Sequence, residues 1–248
     1  MTIKSIALLL LPIYLLNPIP SSAQANSRTP SFSPNDTAIV KDKIAIYAKI
    51  IRCEDERDAN AELLDMLKSK DSDLKNRAIL ALGRIGNPIA VPQLKSIIDS
   101  GDSASMKALA AFSLGEIESE TAVPFILNHL EDPALNGELK LRLIEALGKI
   151  AANKNAATAL GNASLEQMAK AVVACLQVYP KRENASLDEC TSVNLIALTA
   201  LLRMKQRSCI ASIIDLLKSS QPDVCWQSAN VLARMKDGIE AAGPGLIM

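Results

Sequence analysis

The sequence predicts an all-α fold, an α-solenoid of stacked antiparallel helix pairs. Three observations carry that reading. The first is an internal recurrence. Ala81-Leu82-Gly83-Arg84-Ile85-Gly86 returns as Ser113-Leu114-Gly115-Glu116-Ile117-Glu118 and as Ala146-Leu147-Gly148-Lys149-Ile150-Ala151. The leucines stand 32 and 33 residues apart, a period that belongs to stacked units rather than to one closed globule. The second is composition: 49% of the chain is apolar but only 3% aromatic, with Ala and Leu dominant, which favours helices over strands. The third is punctuation by Gly and Pro at matching places in successive units.

The first 25 residues read as an export signal. Lys4 supplies a short basic region, Ile6 to Leu16 an apolar core, and Ala23 and Ala25 the small residues before a cut at Asn26. The apolar run is about 11 residues, short of the roughly 20 that span a bilayer. Cleavage is therefore expected, leaving a periplasmic or secreted chain with no stable membrane insertion. Residues 26–35 are a leader rich in Ser, Pro and Asn. Asn35 or Asp36 then caps a helix to about Arg52, with Ile39, Ile44, Ile46, Tyr47 and Ile50 as its apolar stripe. Residues 36–58 form an N-terminal capping element that ends in the charged break Glu54 to Asp58. A second helix, Ala59 to Ser69, opens a repeat domain over 59–248.

Asp71-Ser72-Asp73 starts the first inner helix, with Leu74, Ala78, Leu82 and Ile85 at helical spacing. Gly86-Asn87-Pro88 ends it. Ala90-Val91-Pro92 opens an outer helix to about Asp99, where the missing N–H of Pro in the first turn is harmless. Ser103 opens the next inner helix, which closes at Ile117, and Ala122-Val123-Pro124 repeats the outer opening. Glu131 to Asn136 turns the chain into the inner helix Leu139 to Ile150. From about 152 to 205 the period slips. Asn153 to Ser164 reads as an enlarged connection, Leu165 to Tyr179 as a helix, Pro180 to Ser186 as a polar turn, and Leu187 to Met204 as a long helix. Regularity returns with Cys209 to Lys218 outside and Pro222 to Met235 inside. Ala241 to Ile247 opens a further, incomplete repeat, so a fragment of a larger exported protein is one reading of the chain.

The unit Asp-x-x-hydrophobic-basic-x-x-Ala-x-x-Ala-Leu-Gly-x-Ile, followed by Ala-Val-Pro-x-Leu, resembles the HEAT repeat. It is most similar to the short bacterial HEAT repeats of the phycobilin lyase type. Asp71, Leu74, Lys75, Ala78, Ala81, Leu82, Gly83 and Ile85, then Ala90 to Leu94, carry the match best. The resemblance implies a HEAT-like superhelix and, because such repeats serve mainly as scaffolds, a binding role. It also implies a runner-up: a lyase or lyase-chaperone for a tetrapyrrole-carrying protein, at odds with export because that chemistry is cytoplasmic or plastid in the family. The physical logic stands without the resemblance, since a helix pair that cannot bury its apolar face alone must rest on the next. Glycine inside a helix costs about 1 kcal/mol relative to Ala, so Gly83, Gly115 and Gly148 mark either close packing or helix termination.

Lys plus Arg and Asp plus Glu number 27 each, so the chain has no general field to attract nucleic acid or an anionic membrane. His129 is the only histidine, no cysteines have zinc-ligand spacing, and there is no Gly-rich phosphate loop. No catalytic, cofactor-binding or metal-binding residue is expected. Alignment on the repeat leucine produces two columns. Seven residues before it lie Lys75, Lys107 and Lys140, either a basic strip for an acidic partner or a structural position bonding neighbouring turns. Two residues after it lie Arg84, Glu116 and Lys149, expected to form inter-repeat ion pairs, followed by Arg203 and Arg234. The six residues from Lys75 to Lys149 are the candidate partner-binding set.

Trp226 is expected to pack against the preceding repeat, and His129 to sit at the surface. Of Cys53, Cys175, Cys190, Cys209 and Cys225, Cys175 and Cys190 fall at the meeting ends of an antiparallel pair and are the candidate disulfide. Cys209 and Cys225 should stand about 15 Å apart, beyond the roughly 7 Å that a disulfide tolerates. The expected function is that of an exported, non-catalytic scaffold for a protein partner, bound through the inner-helix face.

Overall fold

A computed structural model of the protein describes residues 34–132, 134–135, 137–176 and 187–235. The expected signal, most of the leader and the incomplete last repeat lie outside the described residues. The chain divides into two units at Asp42. Of the first, the described part is the opening of helix α1 (Pro34–Glu56). The second unit is an all-α, HEAT-like solenoid.

In that unit α1 runs on to Glu56, where Arg57 turns the chain with φ 51. The expected charged break therefore begins later, because Glu54 is held in the helix by both guanidinium nitrogens of Arg77 at 2.6 Å. Ile50 is fully buried, but Ile44, expected in the same stripe, is 62% exposed. Asn60 caps the short α2 (Ala61–Asp65) by accepting from the Leu63 amide at 2.9 Å.

The inner helices are α3 (Ser72–Ile85), α5 (Ala104–Ile117), α7 (Gly137–Ala152), α9 (Leu187–Met204) and α11 (Pro222–Arg234). Each packs on the next. The outer row is α4 (Val91–Asp99), α6 (Val123–Leu130), α8 (Lys154–Cys175) and α10 (Ile210–Leu216). Asp71 and Ser103 cap their inner helices through side-chain oxygens. The links from inner to outer helix at 88–90, 120–122 and 207–209 are single 3-10 turns. They close on Ala90, Ala122 and Cys209, all fully buried. Cys209 is thus a core residue in an alanine column. Its thiol donates to the Gln206 carbonyl at 2.9 Å, and burial pushes its pKa up to about 11.

The glycine column is a packing device. A Cβ on Gly83 would stand 2.9 Å from Ser113 Cβ, one on Gly115 2.9 Å from Ala146 Cα, and one on Gly148 2.8 Å from Ala200 Cα. Each glycine admits the backbone of the following inner helix. Termination after Gly83 and Gly115 is handled three residues later, by left-handed residues at Gly86 (φ 75) and Glu118 (φ 54); Lys205 (φ 54) ends α9 at the same register, three residues after Leu202. Ser113 adds a buried hydrogen bond, its hydroxyl donating to the Ile79 carbonyl at 3.0 Å.

The period slip lies in the outer row. Asn153, expected to open a loose connection, instead caps α8 by accepting from the Asn155 and Ala156 amides. The Ala-rich run behind that cap is helical up to Gly161, whose φ of 71 and ψ of 171 break α8 in two. The second half buries Met168, Ala169, Val172 and Cys175 as an ordinary outer helix does. It ends at Cys175, short of the expected Tyr179; residues 177–186 lie outside the described residues. The inner row runs on unbroken, since Gly148 receives Ala200.

Candidate binding face on the inner helices

At 3.6 residues per turn, the positions five before, two before and two after the repeat leucine share one side of each inner helix, opposite that leucine, although Leu109 and Ile196 on it still pack partly against the core. In α3 they hold Arg77, Leu80 and Arg84; in α5, Leu109, Phe112 and Glu116; in α7, Arg142, Glu145 and Lys149. In α9 they hold Ile196, Thr199 and Arg203, and in α11 Gln227, Asn230 and Arg234. None of the fifteen is buried. Together they form a mixed face of aliphatic, aromatic and charged side chains along the array.

The charges on this face are connected. Lys149 meets Glu116 of α5 at 2.6 Å and Glu145 of its own helix at 2.7 Å. Arg142 meets Glu145 at 2.9 Å and Glu138 at 3.2 Å. Lys149 Nζ also stands 4.3 Å from the centre of the Phe112 ring, with the Arg142 guanidinium 5.6 Å away, both in cation–π range. Burial opposes the ionisation of Glu145, but Lys149 and Arg142 outweigh it and hold the carboxyl below its ordinary range. Beside this network a cleft of about 230 Å³ opens between α7 and α9, lined by Arg142, Glu145, Ile196, Thr199, Ala200 and Arg203. A second, of about 330 Å³, lies between α6 and α8, with Glu120, Leu127, Glu131, Leu160 and Gln167 among its walls; the extended start of α8 makes it.

The sequence-predicted residues are divided. Glu116 and Lys149 form an inter-repeat pair on the face. Arg84 does not join them; it reaches Glu54 of α1 at 3.5 Å. The column Lys75, Lys107 and Lys140 lies on the other side of its helices. Lys75, with only 14% of its side chain exposed, bonds Asp102 in the turn before α5 at 2.7 Å. That bond, with a second from the Ser100 hydroxyl, holds the Asp102 carboxyl below its usual range. Lys107 and Lys140 are half-buried. The residues that the sequence reading passed over are Phe112, Arg142, Glu145, Ile196 and Thr199. Their signal was present, as the i, i+3 and i+7 positions that complete a side with Glu116, Lys149 and Arg203.

Trp226 does not pack as expected: it is 68% exposed. Its register faces the following inner helix, which buries Ala108 at the same position in α5, and no helix follows α11 among the described residues. His129 is half-buried rather than superficial. It bridges the outer row, Nε2 to Asp99 at 3.1 Å and Nδ1 to the Phe125 carbonyl at 3.1 Å. Cys175 is a buried free thiol at the end of α8. Burial raises its pKa, against the pull of nearby Lys140. The side chain of Cys190, its expected partner, lies outside the described residues. Among the described residues no three potential ligands gather as a metal site, and no helix is long and apolar enough to cross a membrane.

Comparison with known proteins supports this architecture. The model for HEAT repeats matches residues 43–111, and that for the PBS lyase HEAT-like repeat matches residues 107–132. No curated protein matches the chain as a relative by sequence. Among solved structures, the complex of CpcE and CpcF of phycocyanin lyase from Nostoc sp. PCC7120 is similar at a TM-score of 0.50 and 21% identity, over 71% of this chain and 64% of that one. An engineered protein is similar at a TM-score of 0.50 and 18% identity, over 88% of this chain and 59% of that one. The chain thus spans somewhat less than two thirds of these two structures, and the likeness is one of fold.

Proposed function

We propose that this HEAT-repeat protein is an exported scaffold without catalytic activity of its own, binding a protein partner across the inner-helix face. The observation that carries this reading is the face itself. Five helices in register offer solvent the same three positions, filled with aromatic, aliphatic and charged side chains around a cleft. An apolar centre with a polar, charged surround is the composition of a protein interface. The N-terminal signal pattern supports export. The experiment is affinity capture from the exported fraction with the mature chain and two double variants. Phe112→Ser with Ile196→Ser on the inner face should abolish recovery of the partner. Glu120→Gln with Glu131→Gln at the outer cleft should leave it intact. Recovery that survives the inner-face changes would reject the reading. N-terminal sequencing of the exported product should begin at Asn26.

A second reading has its own support in the PBS lyase HEAT-like match over 107–132 and in the likeness to the CpcE–CpcF complex. On it, the chain is a lyase or lyase-chaperone for a tetrapyrrole-carrying protein, with the inner face as its receiving surface. Titration with a free bilin separates the two: a shifted absorption band supports the lyase reading, an unchanged spectrum the scaffold.

A further inference from the structure

We infer that the inner face carries, at Arg203 and Arg234, a docking site for an extended acidic peptide segment. This rests on the reading of that face as a protein-binding surface. The observation is a break in charge pairing along one column. Arg84 in α3 reaches Glu54, while Glu116 in α5 and Lys149 in α7 neutralise each other, with Glu145 as a second partner of Lys149. The same register in α9 and α11 holds Arg203 and Arg234, both exposed. Neither meets a carboxylate among the described residues. The reason is visible four positions earlier on the same side: Glu145 in α7 becomes Thr199 and Asn230, which carry no charge.

Arg203 lines the α7–α9 cleft, together with Ile196, Ala200 and Thr199. An incoming segment there meets a guanidinium, a hydroxyl and apolar side chains. Arginine binds carboxylates through two parallel hydrogen bonds. Packed helices lie about 8–10 Å apart, and an extended chain advances about 3.3 Å per residue. Two acidic residues two or three positions apart therefore match the two arginines. Glu145 on the α7 wall of the same cleft and Asp223 on α11 would repel a continuous polyanion, so a discrete acidic peptide fits better than nucleic acid.

The test is fluorescence anisotropy with two synthetic peptides, one with Glu at every third position and one with Gln in its place, plus a single-stranded oligonucleotide. The acidic peptide should bind at least about tenfold tighter than its Gln counterpart, with the preference fading as salt rises. Arg203→Gln and Arg234→Gln should each weaken it by about three- to tenfold, the range of exposed charge pairs with good geometry. The double variant should lose the preference, and Lys170→Gln on the outer row should keep it. Equal binding of the two peptides, a preference that survives the double variant, or tighter binding of the oligonucleotide overturns the site. Partner capture distinguishes the two levels. Recovery lost with the Phe112 and Ile196 changes but kept with both Arg changes removes this site and leaves the scaffold reading. Recovery kept with all of them removes the scaffold reading as well.

Discussion

The two rows of helices answer the same change of period in opposite ways. Between Ala151 and Ala200 the recurrence disappears from the sequence, yet the inner row does not notice. Gly148 receives the backbone of Ala200 just as Gly115 receives that of Ala146. The outer row takes up part of the extra length, as an extra helical stretch between the Asn153 cap and the Gly161 break. The difference lies in what each row touches. An inner helix is clamped by neighbours on both sides, with backbone-to-backbone contact on one. The front half of α8 buries only Ala156, so little constrains its length. Binding surfaces on repeat arrays need a regular row to present side chains in register, and here that row is protected from insertion.

The strongest way to break this contrast is at the close approach. Gly148→Leu should destabilise the array by about 3 kcal/mol or more, since no rotamer avoids a backbone already within contact of Cβ; urea unfolding would show it as a lowered midpoint. Gly161→Ala should cost about 1–3 kcal/mol, the strain of its φ 71 and ψ 171 alone, because nothing lies near its Cβ. A second glycine inserted after Gly161 should move the midpoint by less than about 1 kcal/mol, as loop lengthening does. If that insertion cost as much as Gly148→Leu, the outer row would not be the tolerant one.

Acid should sharpen the contrast, because Glu54 and Glu145 are carboxylates paired with cations of the inner helices. The hydrogen bonds from Arg77 keep Glu54 below its ordinary value of 4.5, and Glu145 is also depressed. A carboxyl with a depressed folded pKa contributes stability above its unfolded pKa and loses it as pH falls through the folded one. Thermal midpoints should therefore drop below about pH 4.5 in the native chain. Glu54→Gln with Glu145→Gln should flatten that drop while lowering stability at neutral pH. An unaltered acid limb would show that the pairs contribute nothing. The smallest effect belongs to Arg84→Ala. That side chain is 57% exposed and 3.5 Å from Glu54, so a change of about 0–0.5 kcal/mol is expected in melting experiments.

The regular units were legible because each physical requirement there falls on one residue type at one place. Asp71 and Ser103 cap, Pro92 and Pro124 open, and Gly83 admits a neighbour. The irregular unit was not, because Asn and Gly near 153 and 161 signal a loop as readily as a cap and a break. The binding face was half legible. The column of Glu116 and Lys149 stood out by charge. Phe112 and Ile196 did not, because an apolar residue on an inner helix reads as core until its direction is known. Lys75, Lys107 and Lys140 stood out for the same reason of charge, but lie on the other side of the helix.

The sequence by itself determined that the chain is an array of helix pairs, where the regular helices begin and end, and which residue recurs at the close approach. These follow from local chemistry repeated at a fixed period. Only the tertiary structure decided that the glycines serve packing rather than termination, that the inner-row packing survives the change of period, that Trp226 is exposed, and that the charge pairing ends at Arg203 and Arg234. Each of those depends on what stands across the gap between neighbouring helices, and a linear period does not encode that distance.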